Sequence, residues 1–160
     1  MGHGKTNSFT TKDRGWSRLM QLGKQLAEAP FVKVGVLGRN DSRPGGDFGN
    51  VALAIVHEFG IEVPRRSFLR GTMTRMNAEW TKLLEQLARL LVAGKLDVPK
   101  ALNLLGLRAA NDVKATIQRS IGLAPNAPAT IAAKGSSRPL VDTGRLLGSV
   151  DFDAVPGGKG

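Results

Sequence analysis

The apolar positions of the chain follow a few clear rhythms. Trp16, Leu19, Met20, Gly23, Leu26 and Ala27 recur at steps of three and four, which predicts a first helix from about Asp13 to Ala29, ended by Pro30. The period then changes. Val32, Val34 and Val36 alternate with Lys33, Gly35 and Leu37, the composition of a strand over Phe31–Gly38. Residues 38–49 are a glycine-rich loop with little to offer a core. Asn50 is placed to cap a short helix that reaches Phe59 and stops at Gly60.

The longest pattern runs from about Ser67 to Ala93. Leu69, Met73, Met76, Trp80, Leu83, Leu87 and Leu90 form a stripe spaced by fours and threes. Leu84 and Leu91 widen it beyond a coiled-coil seam, so the stripe is expected to pack on the first helix and the sheet of its own domain. Both tryptophans lie on such apolar faces and read as core. A fourth helix is expected over Val98–Ile121, with Pro99 in its first turn and Leu102, Leu105, Ala109, Val113, Ile117 and Ile121 facing inward. Gly106 in its middle costs about 1 kcal/mol relative to alanine, which points to a close approach by another backbone. Residues 123–140 read as an extended, irregular segment. Thr143–Leu147 is expected to form a helical turn, and Ser149–Val155 a last strand able to pair with residues 32–37. These elements predict an α+β fold: a small, mainly antiparallel sheet packed against several helices, with two long extended loops. The expected organisation is a polar arm over residues 1–12, one domain over 13–155 and a glycine-rich tail over 156–160.

Composition narrows the possibilities. The 160 residues carry 23 Lys and Arg against 13 Asp and Glu, a net charge of +10, with no cysteine and no tyrosine. No disulfide or thiolate zinc site can form. No apolar run approaches the roughly 20 residues of a membrane span, and the polar N-terminus lacks an apolar signal core. A soluble protein of a reducing compartment is the expectation. The charge suits nucleic acid, an anionic membrane surface or an acidic protein partner. It is spread evenly, with 12 basic and 7 acidic residues in 1–80 and 11 and 6 in 81–160, so it belongs to the folded body rather than to a detachable arm.

Candidate chemistry is sparse. His3 lies in the polar arm. His57 stands next to Glu58 in a helix, and neighbours in sequence point in different directions. Asp41 with Asp47, and Asp151 with Asp153, are more simply solvated pairs than a general acid–base site or a magnesium site. No phosphate-cradling glycine motif is present. No catalytic, metal or cofactor site is expected, and the chain reads as a non-enzyme. Arg65, Arg66 and Arg70 gather at the start of the long helix, where cations oppose the helix dipole. Either they are exposed and screened, or they meet acidic groups on a neighbouring chain.

Three segments share an order. They are Val34-Gly35-Val36, then Ala54 through Glu58-Phe59-Gly60 into Pro64-Arg65-Arg66-Ser67-Phe68-Leu69-Arg70, and finally Pro139-Leu140-Val141-Asp142-Thr143-Gly144-Arg145-Leu146 with Ser149. This series resembles the head–tail joining and tail-completion proteins of tailed bacteriophages, in the group that includes minor tail protein Z-like and virion-morphogenesis proteins. In that resemblance Glu58, Phe59, Gly60, Pro64, Phe68, Asp142, Thr143 and Gly144 are framework residues: Ser67 caps the long helix, and Asp142 or Thr143 caps the late turn.

The resemblance implies a structural virion protein of the neck, assembled in the host cytoplasm. It would form a ring around the DNA channel, with six copies favoured and twelve the alternative. Its partners would be the portal or connector and the tail tube or terminator proteins, with phage DNA passing through, and with no membrane and no cofactor. Relatives often continue the sheet past the last motif, so completion by a neighbour's strand is one expectation here. The loop 38–49, with Arg39, Arg43 and Phe48, and the segment 123–140, with Ile131, Lys134 and Arg138, are the expected contact surfaces beside Arg65, Arg66 and Arg70. Most of the positive charge would then lie at protein interfaces and the outer wall. The competing reading is a basic protein that binds the DNA phosphate backbone.

Overall fold

The computed structural model describes residues 15–38, 49–135, 137–140 and 144–157. The order of elements is α1 (Trp16–Ala27), β1 (Phe31–Val36), α2 (Asn50–Phe59), α3 (Phe68–Val92), α4 (Val98–Arg119), α5 (Pro128–Lys134), α6 (Arg145–Ser149) and β2 (Val150–Val155). The chain is α+β. The contact loop expected to hold Arg39, Arg43 and Phe48 lies outside the described residues, as do Asp142 and Thr143.

The two strands pair antiparallel, Phe31 opposite Val155 and Val36 opposite Val150. They join the two ends of the described chain, as their alternation suggested. Among the described residues the sheet has these two strands only. α4 lies across both strands and along α3. It starts at Asp97, whose Oδ1 accepts from the Lys100 N–H at 2.9 Å, with Pro99 in the first turn. The core is built from Phe68, Val113, Ile117, Leu146 and Val150, with Ala54 and Leu140 beside them.

Three packing expectations need correction. Gly106 does admit a close neighbour, but the neighbour is a side chain. A Cβ there would sit 2.1 Å from the Phe152 ring, so the missing side chain lets a ring of β2 lie on the helix. The inward face of α3 begins one residue earlier than its apolar stripe suggests. Phe68 and Thr72 are buried, whereas Met73 is exposed. Thr72 is inside because its hydroxyl is satisfied twice, donating to Phe68 O and sharing a hydrogen bond with the Thr116 hydroxyl, at 2.6 Å each. The third correction concerns the tryptophans. Trp80 is half-buried and donates its indole N–H to Asp112 Oδ2 at 2.8 Å, but Trp16 is 68% exposed. No residue of α1 is buried. The long helix therefore packs chiefly on α4.

The segment 123–140 is not extended throughout. Pro128 opens the short helix α5, and Gly135, at φ 64°, ends it. Proline in the first turn and a left-handed glycine at the end are the usual punctuation of a helix.

Candidate functional site

The motif residues of the central segment converge where α2 hands over to α3. α2 ends on Gly60 at φ 74°, and a Cβ there would lie 2.8 Å from Arg65 Cβ. Glycine is required both by the left-handed backbone and by the returning chain. The chain then passes Pro64 and comes back so closely that the Arg66 N–H donates to His57 O at 2.7 Å.

Glu58 sits in this return. It is 4% exposed, and its carboxylate faces the first turn of α3. Oε2 accepts the Leu69 N–H at 3.0 Å, and Oε1 accepts the Arg70 N–H at 3.1 Å. Oε1 also accepts the Ser67 hydroxyl at 2.7 Å and Arg70 Nε at 3.0 Å. Ser67 stands at the N-cap position but makes no capping bond to the helix. The cap comes instead from a side chain nine residues earlier, and Ser67 orients that side chain. Burial works against the charged carboxylate, but the hydrogen bonds from Ser67, the two backbone amides and Arg70 outweigh it, and its pKa is held below the ordinary value. A carboxylate at a helix N-terminus suits the dipole. It also offsets the cations that the sequence crowds there.

The three arginines separate into three environments. Arg65 is exposed. Arg70 is half-exposed, pairs with Glu58, donates Nη2 to Glu58 O at 3.2 Å and lies 4.5 Å over the Phe59 ring. Arg66 turns inward and is 6% exposed. Its Nε donates to Ala124 O at 2.8 Å, and its Nη2 donates to Pro125 O at 3.0 Å and Asn126 Oδ1 at 3.2 Å. Its Nη1 lies 3.3 Å from His57 Nδ1. Burial lowers its pKa. As a contact to another chain Arg66 is thus corrected: its donors are used inside its own chain, pinning the segment that leads to α5. Asn126 extends the joint by donating to Arg138 O at 3.1 Å.

The remaining candidates scatter around this joint. Phe68 is fully buried, whereas Phe59 is exposed. Pro64 is exposed at the rim, Ile131 is half-buried and Arg138 is exposed. Lys134 closes α5. Gly144, at φ 72°, precedes α6. Sequence reasoning passed over Asn126, whose role depends on a partner sixty residues away. It placed Trp16 inside, although it found the apolar face correctly.

The joint has the character of a framework. Glu58 and Arg66 are enclosed and Arg70 is paired and stacked, while Arg65 is exposed. Among the described residues no group of three or more His, Cys, Asp or Glu is arranged to hold a metal ion, and no helix is long and apolar enough to cross a membrane. Comparison with protein-family models, with curated proteins and with solved structures returns no match.

Proposed function

We propose that this protein is a structural subunit of a bacteriophage neck, a ring that completes the tail or the head exit and joins the two around the DNA channel. The observation that carries the reading is the way the motif series folds. Glu58, Gly60, Ser67, Phe68 and Arg70, all within residues 58–70, form one hydrogen-bonded joint that holds α2 against the start of α3. Such a joint makes a rigid building block, and its function lies in the surfaces it holds out. Those surfaces are unfinished: α1 exposes its apolar face, and the outer edges of β1 and β2 have no strand partner among the described residues. Heterologous contacts repeated around a closed rotation produce a ring from such subunits.

The test is attachment. Purified protein should bind isolated tails or emptied heads and restore joining in an extract lacking it, with little dependence on salt. If it ignores both particles and instead binds duplex DNA with affinity falling steeply as salt rises, the phosphate-backbone reading replaces this one.

A further inference from the structure

α1 leads into β1 through three residues, Glu28, Ala29 and Pro30, and the middle one is held where its chemistry opposes it. Ala29 has φ 51°. A residue with a Cβ enters this left-handed region at a cost that glycine does not bear. The residue before a proline is also driven toward extended backbone by the proline ring. The side chain of Ala29 is exposed, so its own packing does not fix it there. Its N–H donates to Leu26 O at 3.1 Å, and the tight turn that results folds α1 back onto α3 and α4.

The seat of α1 is shallow. None of its twelve residues is buried. Leu22 and Leu26 face Leu87, Leu91, Ala101 and Leu105 across an apolar groove of about 230 Å³. Arg18 donates Nη2 to Val92 O, at the C-terminal end of α3, where a cation suits the helix dipole. These contacts join α1 to α3 and α4 alone, and none depends on which copy of the chain supplies the helix. A second copy offers the same leucines and the same carbonyl. With the hinge straight, α1 leaves its own body and can lie on another. Three extended residues reach about 10 Å, so that body must belong to a touching neighbour. We propose that α1 is exchanged between copies: the Glu28–Pro30 hinge opens, Ala29 returns to extended backbone, and Leu22, Leu26 and Arg18 of one subunit take the α3–α4 seat of the next. A short hinge under strain invites such exchange. This rests on the ring reading and names the link between subunits. Because each copy gives its helix to one neighbour and receives a helix from the other, the link is heterologous and can close into a ring.

The test exploits a chain without cysteine. Gln25→Cys marks α1 and Ala88→Cys marks the groove, both at exposed positions. The two full-length chains are unfolded and refolded together, then treated with a flexible bis-maleimide cross-linker. Exchange predicts a covalent pair at twice 17.0 kDa from the mixture, and much less from either chain alone. The hinge supplies a second readout. Ala29→Gly accepts the closed turn and should lower the equilibrium constant for exchange about fivefold. Ala29→Val opposes the turn further and should raise it. An oligomer that cross-links only within a chain carrying both cysteines, and not between chains, would overturn the exchange and leave the ring reading standing. Cross-links between chains that ignore both Ala29 substitutions would overturn the hinge as their cause. A wild type that is itself monomeric would overturn exchange and ring together, whereas linked copies that fail to bind tails or heads would overturn only the neck assignment.

Discussion

Two regions of this molecule treat burial in opposite ways. The α2–α3 joint encloses charge, with Glu58 and Arg66 nearly removed from solvent and surrounded by partners. α1 does the reverse and leaves tryptophan, methionine and leucine in water. Buried charge is tolerated only when every donor and acceptor is met, so it specifies one geometry. Exposed apolar surface has no such directional demand and suits an encounter with another surface. Enclosed charge thus fixes the α2–α3 joint beside an apolar core of Phe68, Val113 and Ile117, while the apolar residues of α1 stay outside that core.

The largest expected effect is at Glu58. Replacing it with alanine strips two amides of α3, the Ser67 hydroxyl and Arg70 of their acceptor, and should cost about 3 kcal/mol of stability in chemical denaturation. The carboxylate also gives a pH signature. Its folded pKa lies below the ordinary value of 4.5, so its contribution is complete above that value and is lost as the pH falls through the depressed one. Glu58→Gln should flatten the acid limb of the stability profile in that window. An unchanged profile would mean that the joint does not depend on the charge.

Arg66 comes next. Arg66→Ala leaves two carbonyls and the Asn126 side chain without their donor, at about 2 kcal/mol. The loss should be local first, and hydrogen exchange should rise across residues 123–135 before the rest of the chain responds. Gly106→Ala drives a methyl group into the Phe152 ring and should cost about 1–3 kcal/mol, reduced by the better helix propensity of alanine. Pairing it with Phe152→Leu should recover part of that loss, since the two positions share one contact. The smallest effect on stability belongs to the most conspicuous residue. Trp16→Ser should change the unfolding free energy by no more than about 0.5 kcal/mol. A large loss would show that α1 already belongs to the core of the single chain, and would erase the contrast between the two regions.

The two regions also differ in how far the amino-acid order revealed them. The extent of α2 and the pairing of residues 31–36 with 150–155 follow from local period and alternation, but the expected cap does not: Gly49 holds the N-cap position and Asn50 is the first, buried residue of the helix. Local signals do not say what covers a face. The periodicity of α1 marks Trp16 as apolar, but it does not show that the residue stands largely exposed. The shifted face of α3 was hidden because Thr72 is polar, and its burial depends on Thr116, 44 residues on. Ser67 has the identity of a cap, but Glu58 reaches the helix first through a turn that sequence spacing does not display. The helix at Pro128–Lys134 was legible in principle, from its opening proline and closing Gly135, but two prolines close together favoured an extended reading. Of the joint, residues 58–70 stand close in the sequence, and the structure supplied the role of each.

A chain that is one subunit of a closed ring, as proposed above, must assemble to a fixed mass. Native mass spectrometry of the full chain at physiological ionic strength tests it most directly. A single species at an integer multiple of 17.0 kDa, six being favoured and twelve the alternative, is the predicted result. A single chain that remains monomeric up to high micromolar concentration would contradict it.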